Sequence, residues 1–471
     1  MDTVKIEGGY ISGMVIGEPG KELNVYRGIP YASPPIGDLR WKPPQRVTPW
    51  EDTRECTAYS TIAPQQLGLG PRTDAPQSED CLYLNVLTPA ESRDERLPVM
   101  VWLHGGGYVS GSGNDPIYNE SRLPQQGVVV VTVSNRLGIL GLLAHRQLSE
   151  ESDNDVSGNY MFLDIIAALK WVKKNITAFG GNPENITIFG ESGGGAKVSN
   201  LMASPLAKGL FHRAICESGV SVGGFAPTAM LKDIEANGER IFAKLGIDKE
   251  ADSLKAVRAL SWQNIMEAEH ELNKELGIEG VVGGLWDAAV DGWFLNDNPT
   301  NIFKDGKQNA IPLIACVNMG ELTGPGQVIM PWLIPSCAVL LSNNRKLGVN
   351  AYACIFDKVP SGWESQGCVS PHLMELGYVF GDWDNSSGFW DGLSLMATTA
   401  GAKTPEPGLA DADRKVSEEM MAMWAQFART GDPNVKGLVE WPVYEEDTDM
   451  YLYITEFSEA KSGYSKVAKE E

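Results

Sequence analysis

Gly190-Glu191-Ser192-Gly193-Gly194 sets one serine among glycines, after the apolar run 186–189 and before the helix-compatible stretch 196–202. A serine on a sharp strand-to-helix turn presents its hydroxyl as a nucleophile, and glycine neighbours let the strained turn close. The unpaired N–H groups and positive dipole end of the helix that begins beneath it favour an oxyanion there. The spacing therefore predicts a nucleophile elbow at Ser192.

Serine is a poor nucleophile at neutral pH, so Ser192 needs a base within hydrogen-bond reach and an acid to orient that base. With such an elbow the partners follow in the order acid, then histidine. The five histidines are 104, 145, 212, 270 and 372, and the first two precede the serine. His212 follows too closely for an acid-bearing strand to intervene, and His270 lies in the charged helical stretch 265–272. His372, in a Gly/Ser/Pro-flanked loop beyond a strand ending at Phe356, is the predicted base. Glu321, at the carboxyl end of a strand over 311–318, is the predicted acid. Its rival, Asp291, stands in an Asp-Gly context that marks a turn. His104-Gly105-Gly106-Gly107 is a second glycine loop; the N–H groups of Gly105, Gly106 and Gly193 form the predicted oxyanion hole. His104 itself is expected to be a structural side chain beneath that loop.

The elements that must position these groups read as a parallel sheet. Residues 98–103 and 128–133 are continuous apolar runs, as in strands buried on both faces. Over 158–179, Ile165, Ala168, Leu169, Val172 and Ile176 recur at helical spacing. Strand, amphipathic helix, strand is the βαβ unit of a mainly parallel α/β sheet covered on both sides. Further strands are expected at 213–217, 311–318 and 351–356, and helices at 235–245, 251–272 and 414–430. Short strands at 4–6, 10–16 and 23–26 read as antiparallel edge hairpins, followed by a proline-dense loop at 28–37 and a strand over 79–86. With no repeat and no long linker, the expectation is one catalytic domain over 1–471 with inserted cap and loop segments.

Composition narrows the partners. Sixty-one acidic against 39 basic residues give a net charge of -22, which disfavours nucleic acid and points to a small neutral or cationic substrate. Apolar residues make up 43% of the chain, enough for a large core. No apolar run is long enough for a membrane span, and the first eight residues lack a signal core. The expected compartment is the cytoplasm, or the exterior if a leader has been removed. Seven cysteines without a CxxC spacing argue against a zinc or redox motif and for small buried hydrophobes. No metal or organic cofactor is implied, and the oligomeric state is not legible.

The chain resembles the type-B carboxylesterase and cholinesterase group of α/β-hydrolases over nearly its whole length. The resemblance rests on residues 26–40, Ser78-Glu-Asp-Cys-Leu-Tyr-Leu-Asn85, His104-Gly-Gly-Gly-Tyr108, Asn135-Arg-Leu-Gly138 and Phe179-Gly-Gly-Asn-Pro183. It continues through Gly190-Glu-Ser-Gly-Gly194, Val317-Asn-Met-Gly-Glu321, residues 372–381 and Phe427-Ala-Arg-Thr-Gly-Asp-Pro433. By position it implies Ser192, Glu321 and His372 as the triad, in agreement with the elimination above. It also implies a short disulfide between Cys56 and Cys81, buried Arg40–Glu79 and Arg136–Asp164 ion pairs, and a packing role for Ser218 near the triad acid. Glu191 would add negative charge favouring an imidazolium at His372.

Three departures qualify the resemblance. Glycine at 193 replaces the family's usual alanine. Residues 56–81 hold no tryptophan for a cation cage. Only about thirty residues separate Glu321 from the strand at Ala351, which predicts a shortened wall and a wider or differently lidded pocket. The implied activity is serine carboxylic-ester hydrolysis through an acyl-enzyme, without a cofactor. The same site would equally serve amide, carbamate or lactone cleavage or acyl transfer. Non-catalytic binding proteins on this fold typically lack a triad member, and all three are present here.

Overall fold

The computed structural model describes residues 3–65, 75–223, 228–248, 252–278, 284–321, 330–393 and 407–469. Its strands begin with β1 (Val4–Ile6), β2 (Gly9–Ser12), β3 (Met14–Ile16), β4 (Leu23–Pro30) and β5 (Arg54–Glu55). Then come β6 (Tyr83–Thr88), β7 (Leu97–Leu103), β8 (Val129–Val133), β9 (Gly181–Glu191), β10 (Arg213–Glu217) and β11 (Thr228–Met230). The last five are β12 (Ala288–Val290), β13 (Leu313–Asn318), β14 (Ala351–Phe356), β15 (Met450–Ile454) and β16 (Glu459–Ser462).

One sheet of eleven strands runs in the order β16-β15-β14-β13-β10-β9-β7-β8-β6-β4-β3. From β15 across to β8 every neighbouring pair is parallel. The edges are antiparallel: β6, β4 and β3 on one side, β16 on the other. This is the α/β-hydrolase arrangement, with the expected antiparallel strands at its N-terminal edge.

Side chains alternate across the sheet with the two-residue period of a strand. Along β7, Val99, Val101 and Leu103 enter one core with Ile165 and Leu169 of the helix Tyr160–Asn175. Met100 and Trp102 enter the opposite core with Met420, Trp424 and Phe427 of the helix Asp411–Thr430. A strand buried on both faces is therefore apolar throughout, which is why 98–103 was readable. Four elements differ from expectation. The 79–86 strand begins only at Tyr83, and β4 runs on to Pro30 into the predicted loop. The 10–16 strand divides at Gly13, where a Cβ would stand 2.5 Å from Val25 O, and β2 and β3 enter different sheets. The 251–272 helix is two, Ser253–Ala259 and Trp262–Leu276, because Ser261 caps the second by accepting from Asn264 N at 3.2 Å; residue 251 lies outside the described residues.

The expected ion pairs are formed. Arg136 meets Asp164 at 2.6 Å and Arg40 meets Glu79 at 2.6 Å. The Cys56–Cys81 bridge is not: both are buried free thiols. Burial raises the pKa of both thiols, Cys56 to about 11, so neither carries the thiolate that bridging requires. A disulfide instead joins Cys316 and Cys354, directly paired across the parallel strands β13 and β14 with Cα atoms 4.6 Å apart. The five remaining cysteines are buried, as expected of small hydrophobes. Among the described residues, no helix is long and apolar enough to cross a membrane.

Candidate active site

The predicted groups converge at the carboxyl ends of β7, β9, β10 and β13. Strand β9 ends at Glu191, and Ser192 follows at φ 55° and ψ -122° as the N-cap of the helix Gly193–Ala203. Such a conformation costs a non-glycine residue on the order of 1–3 kcal/mol and persists only where the surroundings enforce it. Here they do: Ser192 N–H donates to Glu217 O of β10 at 2.8 Å, and Ser192 O accepts from Ala196 N at 3.0 Å.

The loop after β7 closes onto this turn through glycines. A Cβ on Gly105 would stand 3.3 Å from Ser192 Cβ and 2.9 Å from Glu191 O. A Cβ on Gly193 would lie 2.8 Å from Gly107 N, so the glycine that departs from the family pattern is what admits the loop so close. Gly106 and Gly107 take positive φ of 92° and 57°. Gly105 and Gly106 donate their N–H groups to no carbonyl among the described residues, and Gly193 opens its helix, where N–H groups lack intrahelical partners. Gly105 and Gly193 thus bring unspent N–H groups beside the serine, and Gly106 follows in the same loop. His104 is buried under the loop with Nδ1 2.8 Å from Gly105 O, and burial, then the nearby Lys197 charge, hold it well below its usual pKa.

Glu321 ends the 3-10 turn Met319–Glu321 that follows β13, and its Oε1 meets His372 Nδ1 at 2.8 Å. The loop bearing His372 is tied to that turn where Gly320 N–H donates to Ser370 O at 2.6 Å. The other ring nitrogen, Nε2, faces Glu191 Oε1 at 3.1 Å. No hydrogen bond joins Ser192 Oγ to the ring in this state. Burial alone would lower the His372 pKa, but the charge of Glu191, then the bond and charge of Glu321, raise it to about 10. Glu191 moves the same way: burial pushes its carboxyl well above the usual range, against the pull of His372.

Asp291 takes no part. Its carboxylate accepts from the N–H groups of Trp293, Phe294 and Leu295 at 2.9, 2.8 and 3.1 Å, the turn role its Asp-Gly setting suggested. Ser218 sits at φ 48°, and its Oγ reaches Glu375 Oε1 at 3.4 Å rather than Glu321. Glu375, in the first turn of the helix Met374–Val379 that follows His372, went unnoticed in sequence; it accepts from Asn318 Nδ2, and burial together with the Glu321 charge raises it to about 7. Its signal was an acidic residue three positions after the predicted base. Glu217 was also missed: it is buried and accepts from Trp424 Nε1 at 2.7 Å. The shortened wall predicted after Glu321 falls partly on residues 322–329, outside the described residues; beyond them stands the helix Leu333–Lys346.

The carboxylesterase family profile matches residues 1–332 and 330–470. The chain is 33% identical to the para-nitrobenzyl esterase of Bacillus subtilis (strain 168), over 93% of this chain and 92% of that one. It is 32% identical to the fumonisin B1 esterase of Sphingopyxis macrogoltabida, over 94% and 85%. A solved PNB esterase structure superimposes with a TM-score of 0.82 at 30% identity, covering 98% of this chain and 97% of the other. With an α/β-hydrolase sheet and a serine elbow at its carboxyl edge, the chain belongs to the carboxylesterase family and is a serine carboxylic-ester hydrolase.

Proposed function

We propose that Ser192, His372 and Glu321 carry out this hydrolysis through an acyl-enzyme. Ser192 Oγ attacks the ester carbonyl carbon while His372 Nε2 takes its proton, and Glu321 holds Nδ1–H and so fixes the ring tautomer. The N–H groups of Gly105, Gly106 and Gly193 receive the oxyanion. His372 then protonates the departing alcohol, and a water deprotonated by the same nitrogen releases the acid.

The observation that carries this reading is the strained Ser192 turn facing the oxyanion loop, with the Glu321–His372 bond of 2.8 Å beside it. For His372 to serve Ser192, Nε2 must exchange Glu191 Oε1 for the serine hydroxyl; nucleophile–base bonds commonly tighten only once substrate is bound. The net charge of -22 favours neutral or cationic esters over anionic ones. Ser192→Ala assayed with p-nitrophenyl acetate should lose on the order of 10⁴-fold in kcat or more. A variant retaining a tenth of the activity would contradict the covalent route.

A further inference from the structure

Lys197 lies in the second turn of the helix that Ser192 caps and is fully buried. Its Nζ donates to His104 O at 2.9 Å, and no carboxylate pairs with it among the described residues. Such a placement works against stability, because an amine out of water without a counter-ion is costly. An apolar side chain of similar length would fill the space without that cost. The lysine therefore calls for another explanation, and the carbonyl it holds supplies one.

His104 O and Gly105 N–H belong to one planar peptide, in which the carbonyl and the N–H point in opposite directions. Gly105 adjoins Ser192, and its N–H is unspent. A donor on the carbonyl polarises the amide and strengthens the N–H on its other side. We propose that Lys197 is a positioning residue of the oxyanion hole, anchoring the His104 carbonyl so that the Gly105 N–H is held and polarised toward the reacting ester. This rests on the reading of Gly105 as an oxyanion donor given above. Burial lowers the Lys197 pKa to about 7, so the amine donates in either protonation state, more strongly when charged.

Lys197→Met in the full-length enzyme tests this with a trifluoromethyl ketone, which adds to the serine as a tetrahedral oxyanion. The kcat should fall roughly tenfold, less than the hundredfold or more that follows loss of a whole donor. KM should stay within about threefold, and ketone affinity should weaken by the factor lost from kcat/KM. Melting temperature should change little, because removing a buried amine without a counter-ion offsets the lost hydrogen bond to His104 O. If the methionine variant does not fold, Lys197→Gln carries the test, with a loss in the same direction. Unchanged kcat and ketone affinity would overturn the proposal, as would a fall in kcat with ketone affinity intact. Failure of a ketone adduct to form on Ser192 in the wild type would instead remove the underlying site assignment.

Discussion

At the scale of single residues, the site is governed by an excess of carboxylates around one imidazole. Glu321 bonds Nδ1 while Glu191 faces Nε2 at 3.1 Å, and only a neutral ring with a free Nε2 can accept the serine proton. Because the Glu191 charge raises the His372 pKa, the active form gains population as pH rises. Glu191→Gln removes that charge and lowers the ring's pKa, so the acid limb of the kcat/KM profile should move to lower pH, by about 1 to 3 units. An acid limb that stays in place would show that Glu191 does not control the base. The Glu321–His372 contact was readable because few residues of their types followed Ser192 at the right positions in order. The charge of Glu191 beside the imidazole was expected too, but not that it faces Nε2 at 3.1 Å: side chains adjacent in sequence to the nucleophile reveal their direction only when the strand is built. Lys197 was hidden for a similar reason, since a lysine in a helical pattern reads as solvated until the helix is placed beneath a loop.

At the scale of elements, the elbow and the loop after β7 form one interlocked turn pair. Their strands are neighbours, with Leu103 paired to Gly190. Glycines let the two backbones touch. Gly193→Ala would drive a Cβ to within 2.8 Å of Gly107 N, displacing the loop that carries the oxyanion donors. Overpacking of this kind costs about 1–3 kcal/mol, so kcat should drop about tenfold or more while the protein still folds. Wild-type kcat in that variant would show that the loop yields without consequence. The buried strands were legible because each is apolar on both faces. The Cys316–Cys354 bridge was not, because pairing across β13 and β14 depends on register, which the sequence of either strand leaves open. The Cys56–Cys81 bridge that the family resemblance implied is not formed, and both remain buried thiols.

At the scale of the whole molecule, the central parallel strands bring residues from four distant segments to one edge of the sheet, as this topology does for ligand sites generally. That much followed from the order of buried strands and helices. The wall predicted after Glu321 lies partly outside the described residues. The charge of -22 acts over the entire surface. A cationic ester should therefore show a kcat/KM that falls as ionic strength rises, while its neutral isostere should not. Equal salt response for both would separate net charge from substrate choice.

The most direct measurement is active-site titration with a fluorophosphonate, followed by mass spectrometry of the digested protein. One phosphonyl group per chain should appear on the peptide containing Ser192, its appearance should parallel loss of esterase activity, and Ser192→Ala should stay unlabelled. Label on another residue, or activity that survives full labelling of Ser192, would contradict the account.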